Sequence, residues 1–292
     1  MLRAGVSGHR FPVALAEADV VLGQPAVEQV ISSAGLAWVQ LTSAGYTNYD
    51  RQDVRAALAA RGAALTKSSL VFDEPCAEHL VAFMYAQGRQ LPQSFAEQKG
   101  ARGWPQKSMR GDCRLLRGQS AVIFGLGSIA RRLIELLSPL GMDLTVMRRK
   151  VTGDEPVRAL AWDGVQAAQA LGTADHVLNI LPAAPGTELF FNAARLGAMK
   201  PDAIFYNIGR GTTVDQPALI AALTAGKLGA AYLDVTTPEP LPPEHPLWQT
   251  PNCFITPHSA GGHRDESERL VRHFLDNLAR FSSGQPLLDR VF

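Results

Sequence analysis

Short apolar runs alternate along the chain with segments whose hydrophobic residues recur at helical spacing. The runs are ADVVLG (18–23), LAWVQL (36–41), AVIFG (121–125), DLTVM (143–147), ADHVLNILP (174–182), AIFYNIG (203–209), AAYLDV (230–235) and NCFITP (252–257). Near-continuous Val, Ile, Leu and Phe in place of strict alternation is the signature of strands buried on both faces, as in a parallel sheet covered by helices. Between them lie helix patterns. IARRLIELLSPLG sets Ile129, Leu133, Leu136, Leu137 and Leu140 on one stripe, and QPALIAALTAGKLG (216–229) closes on glycine. The pattern predicts an α/β protein with a Rossmann-type doubly wound parallel sheet. Two longer amphipathic segments, 74–90 and 265–281, flank the central strand series and are expected to connect two domains. The predicted division is a dinucleotide-binding domain over 75–263 and a smaller, discontinuous substrate domain made of 1–74 and 264–292.

GLGSIA, Gly125 to Ala130, follows the strand AVIF directly and opens the helix pattern IARRLIELL. That context turns a weak glycine pattern into a dinucleotide-binding loop: Gly125 permits the tight turn and Gly127 lets backbone approach a pyrophosphate. The phosphates would then rest on the N–H groups of Ser128 and Ile129 at the positive end of the helix. The next strand ends Met147-Arg148-Arg149-Lys150, where an acidic residue would bond a ribose 2'-hydroxyl. Arg148 and Arg149 instead offer charge-assisted bonds to a 2'-phosphate, so NADP(H) is favoured, with NAD(H) the alternative.

In open α/β sheets ligands bind beyond the carboxyl ends of the strands. Arg210 follows AIFYNIG, Asp234 and Glu239 close or follow AAYLDV, and His258 follows NCFITP. Reduction of a 2-keto acid needs a cation for the carboxylate and carbonyl, and a proton donor for the oxygen that becomes anionic. Arg210 suits the first duty through its planar fork of donors. His258 suits the second as general acid/base, because histidine exchanges protons near neutral pH, and Glu239 is its expected carboxylate partner. His9, His79, His176, His245, His263 and His273 are assigned structural or surface roles.

FGLGSIA, NIGRGTTVD, LDVTTPEPLPPEHPLW and NCFITPHSAGG resemble, in order and spacing, motifs of the D-isomer-specific 2-hydroxyacid dehydrogenase family, which includes glyoxylate and hydroxypyruvate reductases and phosphoglycerate dehydrogenases. The resemblance runs from about Ala18 to the end. It implies that Arg210, Glu239 and His258 are the catalytic set, and that Arg210 and His258 also touch substrate. It implies that Ile208 and Asp234 lie on the cofactor, Asp234 near the nicotinamide carboxamide. LTSAGYTNYD matches a loop whose backbone N–H groups meet the substrate carboxylate, which points to Ser43, Ala44 and Gly45. A flavodoxin-like substrate domain and a homodimer built around AEHLVAFMYAQGR are also implied. Only about 18 residues precede ADVVLG, so the first strand of the small domain is expected to be missing or remodelled. AAPGTELFFN lacks the family's threonine-rich turn, and no appended regulatory domain is expected after 281.

With 28 Lys and Arg against 27 Asp and Glu, no broad field of one sign exists to gather nucleic acid or an anionic membrane, so the expected partner is a small molecule. No run is long and apolar enough for a membrane span, and no signal peptide is evident. Cys76, Cys113 and Cys253 form no CxxC pair and no even disulfide set, and neither they nor the histidines suggest a metal site. A cytoplasmic location is expected. The competing function class is a non-catalytic NAD(H)-responsive scaffold of the co-repressor type, against which the Arg210, Glu239 and His258 set argues. A formate-dehydrogenase-like oxidation would be expected to replace Glu239.

Overall fold

The computed structural model describes residues 4–6 and 17–292. Contacts divide the chain into two compact units, one of residues 1–72 with 262–292 and one of 73–261.

The first unit carries β1 (Ala4–Val6), β2 (Val20–Leu22), α1 (Val27–Ser32), β3 (Trp38–Gln40), α2 (Gln52–Ala60) and β4 (Ala64–Thr66). The four strands are parallel and lie in the order β1-β2-β3-β4. This is the succession of a flavodoxin-like sheet without its order reversal among the described residues. The first strand expected to be missing or remodelled is therefore present, a correction to the sequence reading: Ala4 to Val6 pair with Val20 to Leu22. His9 lies outside the described residues. Alternation in β2 and β3 sends Val21 and Val39 to one face, where they pack with Val30, Val54 and Leu58 of α1 and α2. Val20 and Trp38 face the other way, and Trp38 stacks between Phe274 and Phe281 of the helix Glu266–Ser282, at ring distances of 5.3 and 5.5 Å.

Helix α3 (Ser69–Gly88) leads into the second unit, followed by α4 (Leu91–Lys99), α5 (Gln106–Asp112), β5 (Ser120–Phe124), α6 (Ser128–Leu137) and β6 (Asp143–Arg148). Next come β7 (Arg158–Ala161), α7 (Val165–Thr173), β8 (His176–Asn179), α8 (Ala193–Gly197), β9 (Ile204–Asn207), α9 (Gln216–Thr224), β10 (Ala230–Leu233) and β11 (Cys253–Ile255). The chain then returns to the first unit as α10 (Glu266–Ser282). The seven strands of the second unit are parallel in the order β11-β10-β9-β8-β5-β6-β7. The direction of winding reverses between β5 and β8, which opens a crevice at their carboxyl ends. β4 and β7 were not among the apolar runs, because ALT and RALA are short and alanine-rich, and β7 is a partly exposed edge strand.

One face of this sheet is an aromatic ladder. The register aligns Tyr206, Tyr232 and Phe254 on three adjacent strands, and their rings stack at 5.5 and 4.8 Å. Helix α3 docks on it with residues four apart, the spacing that shares one helix face. His79 packs edge-on against Phe83, Phe83 lies on Tyr232, and Gln87 accepts a hydrogen bond of 2.7 Å from the Tyr232 hydroxyl.

At the opposite end of the ladder His176 is buried between Tyr206 Oη, 3.0 Å from Nδ1, and Gln119 Oε1, 2.5 Å from Nε2. A neutral ring with Nε2–H satisfies both partners, and burial pushes its pKa down to about 4. A histidine whose folded pKa lies below its unfolded value binds its proton later on the native side. Stability is therefore lost as pH falls from about 6.5 and levels off below about 4, by at most about 1.4 kcal/mol per pH unit. Urea unfolding from pH 7 to 4 is expected to show this slope in the wild type and its loss in His176→Gln; equal slopes would remove His176 as the cause.

Candidate functional site

The parallel register sets Asn207, Leu233 and Ile255 at one level on β9, β10 and β11. Arg210 comes three residues beyond that level, Asp234 one, Glu239 six and His258 three. All four therefore emerge at the same edge of the sheet, from strands about 5 Å apart.

His258 and Glu239 are joined directly: the imidazole Nδ1–H donates to Glu239 Oε2 at 2.8 Å. Glu239 is itself held, since its Oε1 accepts the Thr236 amide at 3.0 Å. With Nδ1 committed, Nε2 is the nitrogen left to face a ligand, and the His258 side chain is 52 % exposed. The residue has a φ of 51°, in the left-handed region that costs a non-glycine residue about 1–2 kcal/mol. What holds it there is Asp234. Its side chain is buried, and Oδ1 accepts from Thr256 Oγ1 at 2.6 Å, the Ser259 amide at 2.8 Å and the Ala260 amide at 3.1 Å. The His258 amide donates to the Asp234 carbonyl at 2.8 Å. Every residue from Thr256 to Ala260 except Pro257 is thereby tied to one aspartate.

Arg210 sits in a turn organised from beneath by buried amides. Asn179 at the end of β8 donates to Asn207 Oδ1 at 2.9 Å and to Thr213 Oγ1 at 2.7 Å. Asn207 Nδ2 and Thr213 Oγ1 both donate to the Arg210 carbonyl, at 3.1 and 2.7 Å. The turn needs glycine at Gly211, where a Cβ would lie 1.9 Å from the Thr236 carbonyl oxygen. The half-buried Arg210 guanidinium donates back to the Gly209 carbonyl at 2.6 Å. Ile208, on the same turn, is buried.

The glycine loop occupies the carboxyl end of β5, beside the reversal. Gly125 has a φ of 101°, the conformation for which glycine is favoured. Gly127 is the N-cap of α6, with no side-chain cap, and a Cβ there would meet nothing within 4 Å. Packing against the protein therefore does not explain that glycine. Ser128 and Ile129 open the ten-residue helix and Ala130 is buried, so the loop fits a dinucleotide pyrophosphate over the helix N-terminus.

At the end of β6 the two arginines differ. Arg148 is engaged, its Nη1 lying 2.8 Å from Glu155 Oε1 and 3.1 Å from Thr152 Oγ1. Glu155 also accepts the Thr152 and Gly153 amides, which hold its carboxyl down at about 2. Arg149 is exposed, with its guanidinium 5.4 Å from the Trp162 ring centroid. In the first unit, Ser43 donates to the Gly45 carbonyl at 2.6 Å and accepts from Gln24 Nε2 at 2.8 Å, which closes a tight turn at Ser43, Ala44 and Gly45 after β3.

Sequence reasoning did not single out Asn179, Asn207, Thr213 or His79. The amides had a signal, an Asn interrupting each of the apolar runs HVLNI and IFYNI. His79 had none beyond its helical spacing to Phe83. Burial pushes the thiols of Cys76 and Cys253 up to about 12, so neither is a nucleophile at neutral pH. Among the described residues no cluster of metal ligands occurs, and no helix is long and apolar enough to cross a membrane.

The sequence profile of the D-isomer specific 2-hydroxyacid dehydrogenase NAD binding domain matches residues 81–260. The chain is 32 % identical to glyoxylate/hydroxypyruvate reductase B of Citrobacter koseri over 281 residues, 93 % of this chain and 84 % of that protein. It is 31 % identical to the human glyoxylate reductase/hydroxypyruvate reductase over 218 residues, 74 % of this chain and 66 % of that enzyme. Across three curated relatives with shorter alignments, the human enzyme among them, the matched stretch spans 57 to 66 % of their length. A crystal structure of a D-isomer specific 2-hydroxyacid dehydrogenase from Xanthobacter autotrophicus Py2, in complex with NADPH and MES, superposes with a TM-score of 0.78 at 26 % identity, covering 95 % of this chain and 85 % of that one.

Proposed function

The chain belongs to the D-isomer specific 2-hydroxyacid dehydrogenase family, and on that premise we propose that it is a reductase of small 2-keto acids, of the glyoxylate and hydroxypyruvate type. The observation that carries the proposal is the His258–Glu239 hydrogen bond of 2.8 Å at the carboxyl edge of the sheet, with Arg210 in the turn that follows β9 at the same edge. A bound nicotinamide would supply the hydride. Arg210 holds the substrate carboxylate and polarises the ketone, its fork of donors turning from the Gly209 carbonyl to a stronger, charged acceptor. His258 delivers the proton to the ketone oxygen from Nε2. Glu239 keeps Nδ1 protonated, fixes the ring's orientation and stabilises the imidazolium that precedes transfer. The turn at Ser43, Ala44 and Gly45 is assigned to carboxylate binding through its backbone N–H groups. Asp234 acts on the nicotinamide side chiefly by shaping the loop 256–260.

NADP(H) is the proposed cofactor. Gly125, Gly127, Ser128 and Ile129 take the pyrophosphate, and Ile208 lines the nicotinamide side. Arg149 is the primary reader of the 2'-phosphate, because Arg148 is already paired with Glu155 and acts by holding the loop 152–155 against the strand end. The NADPH in the Xanthobacter relative supports the same choice.

A homodimer is proposed through the α3–α5 region. Tyr85, Phe95 and Trp104 are 44, 56 and 90 % exposed there, a density of large apolar groups that a second copy would cover.

Steady NADPH oxidation on adding glyoxylate or hydroxypyruvate is the expected result of the direct assay; none with either acid, or with a wider panel of 2-keto acids, would favour a scaffold. His258→Asn is expected to cut turnover by roughly two to four powers of ten with cofactor affinity nearly unchanged, and undiminished turnover would exclude His258 from the chemistry. Arg149→Ala should raise the Michaelis constant for NADPH far more than that for NADH, and Arg148→Ala should do so less. Equal effects on both cofactors would overturn the phosphate assignment. Light scattering is expected to report a dimer for the wild type and a monomer for Trp104→Glu with Phe95→Glu; a monomeric wild type would refute the interface.

A further inference from the structure

Helix α3 places a second histidine behind the proposed proton donor. His79 Nε2 lies 3.2 Å from Thr256 Oγ1 and 3.8 Å from Asp234 Oδ1. Thr256 Oγ1–H donates to Asp234 Oδ1 at 2.6 Å, so the threonine oxygen has lone pairs to spare and the imidazole Nε2–H is the donor. Burial lowers the His79 pKa, the effect opposed in part by Asp234, so the ring is neutral at pH 7 and acts as a hydrogen-bond donor without charge. Its place is determined at three points along one face of α3: the edge contact with Phe83 at 4.6 Å, the Phe83 ring on Tyr232 at 4.5 Å, and the Gln87 bond to the Tyr232 hydroxyl at 2.7 Å. The chain of bonds then runs His79 to Thr256 to Asp234, and from Asp234 to the amides of Ser259 and Ala260 on the far side of His258.

We propose that His79 is a positioning residue for His258, acting through Thr256 and Asp234 to hold the loop 256–260 in its left-handed turn. The proposal rests on the reading of His258 as the proton donor. Thr256 has one hydrogen to give, and the His79 bond directs it to Asp234 by occupying a lone pair of the same oxygen. Without His79 the hydroxyl is free to rotate, the carboxylate loses a donor, and the turn that presents His258 loosens. Ring placement then drifts on the scale at which about 1 Å of displacement lowers turnover about a hundredfold. The groups His79 meets are Asp234, one residue past β10, Thr256, one residue past β11, and Phe83 from its own helix.

The test compares His79→Gln, which keeps a donor, with His79→Leu, which does not, and adds Thr256→Val to break the same chain from its other end. Turnover with NADPH and glyoxylate is expected to fall about ten- to a hundredfold in His79→Leu, with the dissociation constant for NADPH within about twofold of the wild type, and to recover most of the loss in His79→Gln. Thr256→Val should resemble His79→Leu, and the double variant should be no worse than either single one, because both remove one chain of bonds. Histidine-selective NMR reads the same proposal without turnover: the His258 ring signal, assigned by its loss in His258→Asn, should shift its titration in His79→Leu and Thr256→Val and retain it in His79→Gln. An unaltered His258 titration and undiminished turnover in His79→Leu, or additive effects in the double variant, would overturn the proposal. A wild type without keto-acid reduction whose His258 titration still responds to His79→Leu would instead refute the reductase reading and leave the positioning role standing. If His79→Leu does not fold, His79→Gln against Thr256→Val decides the matter by the same NMR readout.

Discussion

Asp234 is the constraint on which the site depends. A carboxylate taken out of water loses several kcal/mol of solvation unless donors replace the water, and here the donors come from one short segment, Thr256, Ser259 and Ala260. Satisfying the aspartate and folding that segment are therefore the same event. His258 lies in the middle of it, in a left-handed conformation that its own sequence does not favour. The strain is local and small beside the desolvation that would follow if the segment let go. An unfavourable backbone state is thereby kept at the residue proposed as the proton donor, in line with the clustering of such strain at functional sites.

The carboxylate can do this because the sheet brings β10 and β11 side by side in register. Parallel pairing from β5 outward puts the loops that carry Arg210, Asp234, Glu239 and His258 on one edge, and the reversal between β5 and β8 opens the crevice there. Two further interactions stiffen that edge. Asn179 and Asn207 meet across β8 and β9 and bind the turn that carries Arg210, while the Tyr206, Tyr232 and Phe254 ladder gives α3 a flat apolar seat on one face. Neither pair of elements would be placed by local propensity. Both follow from cross-strand neighbours whose separation along the chain is large and whose separation in space is one strand.

The same distinction explains what was legible in the sequence. The buried strands were readable because two covered faces demand continuous apolar residues, and the glycine loop because Gly125 and Gly127 sit between a readable strand and a readable helix. β4 and β7 were not, since ALT and RALA have too few branched or aromatic residues to stand out. The first strand, β1, was masked by the shortness of the stretch before ADVVLG, although three residues are enough to pair with β2. Arg210, Asp234, Glu239 and His258 could be named from their positions after strands, yet what each one bonds to could not. That Arg148 is paired with Glu155 depends on a loop folding back through the amides of Thr152 and Gly153. That His79 reaches Thr256 depends on residues 177 positions apart meeting across a helix and a strand.

The His258–Glu239 pair raises a last physical point. Its side chains are 52 and 38 % exposed, and an ion pair in that much water contributes little to folding stability. Its value lies in direction rather than strength: by occupying Nδ1, the glutamate decides which ring nitrogen faces outward and keeps the ring from turning over. The electrostatic part of its role must come when water leaves the crevice, because the attraction between imidazolium and carboxylate grows as the local dielectric falls. If His258 is the proton donor proposed above, a ligand that fills the space over Nε2 would do more than present itself to a proton: by displacing water it would strengthen the His258–Glu239 bond, so that binding and activation of the acid would be coupled through Glu239.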